Sequence, residues 1–318
     1  MLGPSAPPPF EAGILRRGRD LRAVGVEPTR GDWHQVRNGV WVTAREWLRL
    51  TPEHRHAALV HASALCLGRD QPVFALTSAA AVWGLPRVEP WPDAVRVLVG
   101  TVGRGRGSSL VRPHVGRPEA GVLVGGIRVT PVARTVVDLA RTGSLLTAVA
   151  AADHALRHGL CTAEELRREV DAVPRRVRGR KRARLVGALA DPLSMSAGES
   201  LSRVQMFLLN LPRPELQKEV HDADGLVGVV DFGWRGVVGE FDGRVKYRVP
   251  EGATPEAASD VLWREKQRED RLRSQVRVAR WTWAVALDAR RLEAVLAPHG
   301  IRPLPANTWV DLGARSAS

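Results

Sequence analysis

Val229-Val-Asp231-Phe-Gly-Trp-Arg235-Gly236-Val-Val-Gly-Glu240-Phe-Asp242-Gly is the stretch that says most about the fold of this chain. Apolar and polar positions alternate on both sides of Arg235-Gly236, which is typical of a β-hairpin with a two-residue turn. Such a turn places Asp231 opposite Glu240. Asp242 falls on the same face one diagonal step away, because side chains repeat every second residue along a strand. The sequence therefore predicts a hairpin with one apolar face and one face that gathers three carboxylates.

An acidic sheet face has two interpretations. Like charges that face each other across a sheet are destabilising, and a divalent cation with oxygen ligands is the usual reason to tolerate them. A solvated polar face that happens to be acidic explains the same pattern. Lys246 follows Asp242 closely in a chain whose other lysines are at 181, 218 and 266. Acids and a lysine around a cation suit hydrolysis of phosphodiester bonds.

The residues around the hairpin form an ordered series of motifs. Gly198-Glu199-Ser200 precedes it in a predicted helix, Glu240-x-Asp242-Gly243 lies within it, and Arg264 to Arg271 and Val278-Ala-Arg280-Trp281 follow it. With these motifs, residues 196–283 resemble the restriction-endonuclease-like PD-(D/E)XK superfamily, particularly its very-short-patch-repair (Vsr-like) branch. The resemblance implies an α/β domain with the element order αβββαβ over residues 191–290, and divalent-metal-dependent cleavage of DNA.

The same resemblance assigns roles to individual residues. It implies that Asp231 and Glu240 bind Mg²⁺ or Mn²⁺ and act in catalysis, that Asp242 and Glu199 complete the metal shell, and that Lys246 assists the attacking water. Many members of the superfamily have lysine where this chain has Asp242. This departure leaves a second function open, that of a DNA-binding regulator without catalysis.

Glu199 also has a structural interpretation. Ser196-Ala-Gly-Glu199 is a capping box, in which the Ser196 side chain caps the helix and Glu199 accepts a hydrogen bond from the Ser196 backbone N–H. The capping role and the metal role are compatible.

A predicted helix over residues 256–274 is rich in charge. Its basic and acidic residues interleave at salt-bridge spacing, which favours a solvated face over contacts with DNA phosphates. Trp281 and Trp283 alternate with Thr282 in a short predicted strand, where packing in the core is favoured over base stacking.

Composition sets the broad class of protein. The chain has 318 residues, enough for two domains, and a formal net charge of +13. Residues 1–195 contain 29 Lys and Arg against 17 Asp and Glu, whereas residues 196–286 contain 14 of each kind. A basic front part is expected to attract nucleic acid. Two widely separated cysteines exclude a disulfide framework. With no evident secretory signal and no long apolar run, we expect a cytoplasmic protein that does not contact the membrane.

The front part of the chain is predicted to be a mixed α/β domain over residues 13–190, after a proline-rich disordered tail over 1–12. Its motifs are Gln35-Val-Arg-Asn-Gly-Val-Trp-Val42, Thr77 to Pro86 and Thr130 to Ala140. They resemble actinobacterial relatives of the AbiE-type antitoxin of type IV toxin–antitoxin systems. The resemblance implies a winged-helix start that binds DNA, here degenerate because little chain precedes Trp33, and a nucleotidyltransferase-like toxin as partner.

Two segments flank the nuclease-like part. The sharpest basic run precedes it and consists of Arg175, Arg176, Arg178, Arg180, Lys181, Arg182 and Arg184. This run clamps DNA backbone in one interpretation and is a solvated linker with a helix start in the other. Residues 291–318 are predicted to be a C-terminal tail.

Overall fold

The structure is a computed structural model, which describes residues 10–67, 72–100, 110–116, 121–243 and 255–310, without the side chains of 255–262, 264 and 265. The chain divides into two compact units, residues 1–190 and 191–318. Both contain helices and strands, so the protein is mixed α/β. Among the described residues, no helix is both long and apolar enough to cross a bilayer.

The first unit begins with a small antiparallel sheet in the order β1-β3-β2. Its strands are β1 (Arg16–Arg17), β2 (Trp33–Arg37) and β3 (Val40–Thr43). Three helices accompany it: α1 (Gly18–Ala23), α2 (Ala44–Arg49) and α3 (Pro52–Leu67). The Thr51 hydroxyl accepts a hydrogen bond from the His54 N–H at 3.3 Å, as expected of a threonine that caps a helix beginning with proline.

The middle of the first unit contains α4 (Leu76–Val82), the parallel pair β4 (Val95–Val99) and β5 (Val111–Val115), and the hairpin β6 (Val122–Val124) and β7 (Ile127–Val129). The sequence suggests a single strand over 122–129, which is wrong. Gly125 and Gly126 have φ angles of 53° and 79°, and two successive residues with positive φ turn the chain back on itself.

Four helices complete the first unit: α5 (Val132–Thr142), α6 (Leu145–Arg157), α7 (Ala163–Asp171) and α8 (Arg180–Leu189). The Ser144 hydroxyl caps α6, and Thr162 with Glu165 forms a capping box at the start of α7. Most of the proline-rich start, residues 1–9, lies outside the described residues. Phe10 packs against the ring of His61 at a centroid distance of 5.3 Å.

The second unit runs through eight elements. They are α9 (Ala197–Leu208), β8 (Glu215–Asp222), β9 (Gly225–Trp234), β10 (Val237–Asp242), α10 (Pro255–Gln275), β11 (Arg277–Thr282), α11 (Trp283–Ala286) and α12 (Ala289–Leu296). The strands form one sheet in the order β11-β10-β9-β8, in which β8, β9 and β10 are antiparallel neighbours and β11 is parallel to β10.

The hairpin between β9 and β10 turns at Arg235-Gly236, as predicted. Val237 pairs with Trp234 and Gly239 pairs with Phe232. Gly236 has a φ of 72°, a conformation that favours glycine in a two-residue turn. The hairpin register that the sequence predicts is therefore confirmed up to the Gly239–Phe232 pair.

Aromatic residues fill the space between the sheet and α9. Trp281 is buried, stacks on Phe232 at 5.3 Å, and donates its indole N–H to the Ser202 hydroxyl at 2.8 Å. Core packing of Trp281 is thus confirmed. Trp283 begins α11 instead of continuing the strand, and it remains partly exposed.

The residues after the last strand belong to the second unit, so a tail over 291–318 is not what the structure shows. Leu292 and Leu296 of α12 are fully buried. Trp309 is buried and donates its indole N–H to the Leu211 carbonyl at 2.7 Å. The apolar face of α12 and this tryptophan are what attach the segment. Residues 311–318 lie outside the described residues.

Candidate functional site

The strand pairing of the second unit is irregular at Asp231. The β8–β9 ladder includes Leu216↔Phe232 and Lys218↔Val230 but skips the pair between them, Gln217 and Asp231. The β9–β10 ladder ends at Gly239↔Phe232, one position before Asp231. The carboxylate of Asp231 accepts a hydrogen bond from the backbone N–H of Phe241 at 2.7 Å. A side chain thus engages a β10 amide just beyond the last registered pair of the hairpin.

Gln217 marks the same irregularity on the neighbouring strand. Its φ is 49°, a left-handed conformation that costs a residue other than glycine about 1–2 kcal/mol. Such outliers persist where the surrounding structure holds them, and they cluster at functional sites. The Gln217 amide donates to Glu199 at 3.2 Å, so this strained residue connects β8 to the start of α9.

Glu199 lies at the first turn of α9 and is buried. The Ser196 hydroxyl caps this helix by accepting from the Glu199 N–H at 3.2 Å, as predicted. The reciprocal bond differs from the expectation. Glu199 accepts from the backbone N–H of Met195 at 2.7 Å and from the Ser196 hydroxyl at 2.9 Å, one residue further back than in a standard capping box.

Glu240 is buried between two arginines. One carboxylate oxygen accepts from Arg268 at 3.2 Å, and the other accepts from Nε of Arg280 at 2.8 Å. Arg280 sits beside Glu240 on the adjacent parallel strand and also reaches Glu269 at 3.1 Å. Burial disfavours the charge of Arg280, but Glu240 and Glu269 outweigh it, and the pKa of Arg280 is raised above its ordinary value. Internal guanidinium groups therefore balance the negative charge on this face.

The remaining predicted site residues fall differently. Asp242 ends β10, is half-buried, and pairs in register with Thr282. Lys246 lies outside the described residues. Within the part of the chain that the structure describes, no group of three or more His, Cys, Asp or Glu side chains is arranged to hold a metal ion. Asp231, Glu240, Asp242 and Glu199 are thus not assembled as a ready metal centre.

Arg268, Arg280 and Gln217 were not singled out from the sequence as site residues. Arg268 had a usable signal, because it lies one turn before the apolar Leu272 and side chains four apart share a helix face. Arg280 could be assigned only with the register of β11 against β10. Elsewhere on α10, Arg273 pairs with Glu269 at helical spacing, as a solvated face predicts, whereas Arg271 makes a two-pronged ion pair with Asp222 of β8.

The basic run of the first unit separates into two groups. Arg180 and Arg182 bind backbone carbonyls at the ends of neighbouring helices: Arg180 binds that of Val173, and Arg182 binds that of Arg141 at 2.9 Å. Both are therefore structural, as basic residues at helix C-termini often are. The others are exposed: Arg175, Arg176, Arg178, Lys181 and Arg184. The helix-start interpretation is confirmed for 180–184, and the exposed residues remain available to a ligand.

No family model matches the chain. It is similar to two proteins of Mycobacterium tuberculosis: Uncharacterized protein MT2308 of strain CDC 1551 / Oshkosh and Uncharacterized protein Rv2248 of strain ATCC 25618 / H37Rv. Each is 39% identical over 111 residues, which make up 35% of this chain and 41% of the relative. The match thus spans about two fifths of the relatives' length, and their names state no activity.

Proposed function

We propose that the second unit is a restriction-endonuclease-like domain that cuts DNA in a divalent-metal-dependent reaction, in a protein of the cytoplasm. The observation that carries this proposal is the missing strand pair at Asp231, beside the strained Gln217 and on the strand next to that of Glu240. Strained backbone of this kind clusters at functional sites, and the two buried carboxylates on adjacent strands beside it are candidates for a reactive centre. The order of helix, three strands, helix and strand supports the same assignment.

The carboxylates of this face are of the kind that binds Mg²⁺ or Mn²⁺, but the structure does not arrange them as a ready metal site. Carboxylate oxygens of Asp231, Glu240 and Asp242 are the ligands that Mg²⁺ and Mn²⁺ prefer. A bound cation would polarise the phosphate and lower the pKa of a water molecule. In the structure, however, Glu240 is held by Arg268 and Arg280. The proposal therefore requires these arginines to release Glu240.

DNA itself offers a reason for that release. Guanidinium groups bind phosphate in the same two-pronged way as they bind carboxylate. Arg268 and Arg280 are partly exposed, at 27% and 21% of their side chains. We propose that they turn to the phosphate backbone of bound DNA, while the Phe241 N–H keeps Asp231 in place and Gln217 keeps Glu199 in place.

A second function is favoured by one specific observation. The pairing of Glu240 with two arginines is a satisfied arrangement that needs no metal, and Asp242 stands where many members of the superfamily have lysine. These features favour a DNA-binding regulator without catalysis, of the AbiE-type antitoxin kind. Its partner would be a nucleotidyltransferase-like toxin, and a toxin gene next to that of this protein would support it.

Plasmid cleavage separates the two functions. The full chain is incubated with supercoiled plasmid and with Mg²⁺, Mn²⁺ or EDTA, beside a Glu240→Gln variant and a control, Glu219→Gln, whose carboxylate is exposed on the same sheet. The nuclease predicts nicking or linearisation that EDTA and Glu240→Gln abolish and Glu219→Gln preserves. A folded wild type that shifts DNA in a gel but leaves the plasmid intact with both metals contradicts the nuclease and supports the regulator.

A further inference from the structure

The first unit contains a cavity of about 660 Å³ that none of the functions above uses. It lies among β2, α2, the first turns of α3 and the loop over residues 87–93. The side chains on which the argument rests are His34, Trp47, Arg55, His56, Arg87 and Trp91. Its volume is within the range of cavities that bind small ligands, about 300–1,000 Å³.

Two pairs of stacked rings line the cavity. His34 stacks on Trp47 at a centroid distance of 4.0 Å and an interplanar angle of 16°. His56 stacks on Trp91 at 5.1 Å and 27°. Stacked heteroaromatic rings that border a cavity provide flat faces for a further planar ring such as a nucleic-acid base.

Arg55 supplies a cation without a counter-ion. Its guanidinium lies over the Trp47 ring at 5.4 Å, and its buried Nε has no hydrogen-bond partner among the described residues. In the same described set, no carboxylate lies within ion-pair distance of Arg55. Burial lowers the pKa of His34, and the positive charge of Arg55 lowers it further. A half-buried cation beside a cavity favours an anionic ligand.

The polar groups around the cavity extend this pattern. His56 is 3% exposed, its Nε2 lies 3.4 Å from the Ser78 hydroxyl, and the backbone of Pro92 is a hydrogen-bond partner of its ring. Burial lowers the pKa of His56 to about 4, so this imidazole is neutral near pH 7. Glu53 and Asp93 also line the cavity and can accept hydrogen bonds from amino groups.

The loop over residues 87–93, which forms one wall of the cavity, is anchored by hydrogen bonds to the start of α6. Glu89 accepts hydrogen bonds from the hydroxyls of Ser144 and Thr147, and the Val88 N–H donates to Thr147 at 2.9 Å. Arg87 donates its Nε to the Pro90 carbonyl at 3.0 Å. The wall that carries Trp91 is therefore preorganised, which reduces the entropy lost when a ligand binds.

We propose that this cavity binds a nucleoside monophosphate. Flat aromatic faces suit the base, the carboxylates of Glu53 and Asp93 suit its amino group, and Arg55 suits the phosphate. The beginning of α3 at Pro52 adds the partial positive charge of a helix N-terminus to the same wall. This ligand uses all three kinds of group that line the cavity.

Isothermal titration calorimetry on the full chain tests this assignment. The ligands are adenosine and guanosine 5′-monophosphate, the fragments adenosine and inorganic phosphate, and a single-stranded DNA decamer. We expect at least one monophosphate to bind, and Arg55→Gln to weaken it by about tenfold or more, as the loss of a charge-assisted hydrogen bond implies. Arg55→Lys should recover part of the affinity. Trp91→Ala should weaken binding, and Arg45→Gln, an equal charge change at an exposed position of α2, should not.

Several results would overturn the proposal. They are the absence of monophosphate binding up to about 1 mM, which corresponds to about −4 kcal/mol; equal binding of either fragment; binding of the decamer alone; and affinity unchanged in both Arg55→Gln and Trp91→Ala. Thermal unfolding of each variant shows whether it is folded, and Arg55→Lys serves if Arg55→Gln is not.

Discussion

The second unit stabilises two of its buried carboxylates in different ways. Asp231 accepts a backbone N–H, whereas Glu240 is paired with two guanidinium groups. Buried ion pairs of the second kind contribute little net stability as a whole, but removal of one partner leaves the other charge uncompensated.

Glu240→Gln is accordingly expected to destabilise the protein by about 1–3 kcal/mol, because Arg268 and Arg280 lose a shared carboxylate while Arg280 keeps that of Glu269. Urea unfolding of the full chain measures this change. Glu219→Gln is the matched control and should stay within about 0.5 kcal/mol of wild type. A double-mutant cycle with Arg280→Gln should give a coupling above about 1 kcal/mol. A coupling near zero would show that the pair is not formed.

Buried histidines of the first unit give a dependence on pH. Burial lowers the pKa of both His56 and His61 to about 4, against an ordinary value of 6.5. Between these values the unfolded chain binds more protons than the folded one, so stability falls as the pH drops from about 6.5 to about 4. Urea midpoints measured across this range should decrease in wild type, and the decrease should be smaller in His61→Gln. A midpoint that stays constant from pH 7 to pH 4.5 would contradict the neutral state of these rings.

At the scale of elements, local signals in the sequence were sufficient where one turn or cap decides the structure. The β9–β10 hairpin and its Gly236 turn, the Ser196 cap of α9, and the helix α10 could all be predicted. The Gly125-Gly126 turn could not be predicted, because a strand and a short hairpin share the same apolar composition. The arginine pairs of Glu240 could not be predicted, since they depend on which strand adds to the hairpin and in which register.

The close packing of α9 against β10 depends on a glycine, Gly198, which has no side chain. A Cβ at Gly198 would lie 2.1 Å from the Phe241 ring, closer than any real contact. Gly198→Ala should therefore destabilise the protein by about 1–3 kcal/mol despite the better helix propensity of alanine. Chemical unfolding measures the loss. The double variant Gly198→Ala/Phe241→Leu should recover part of it, and a neutral or stabilised Gly198→Ala would show that α9 lies further from the sheet.

At the scale of the whole molecule, the uneven charge of the chain now has a structural counterpart. The excess of basic residues belongs to the first unit, and part of it is used internally, by Arg180 and Arg182 at helix ends. The sequence does not distinguish these two arginines from the exposed ones beside them, because a run of basic residues does not show which side chains bind backbone carbonyls. Arg175, Arg176, Arg178, Lys181 and Arg184 are the exposed remainder of the run.

The exposed arginines of the basic run are candidates for contacts with DNA phosphates. If the exposed run contacts phosphates, the triple substitution of Arg175, Arg176 and Arg178 by glutamine should reduce the slope of log K against log salt by about 3, near 0.9 per lost contact. Fluorescence anisotropy with a labelled duplex at several salt concentrations measures this slope. The matched control replaces Arg30, Arg45 and Arg49, which are exposed in the first 50 residues of the chain. If the control loses the slope and the first triple keeps it, DNA lies against the start of the chain and the run is a solvated linker. If both keep it, neither of these two groups of arginines contacts the phosphates, and Arg268, Arg271 and Arg280 of the second unit are the next to be substituted.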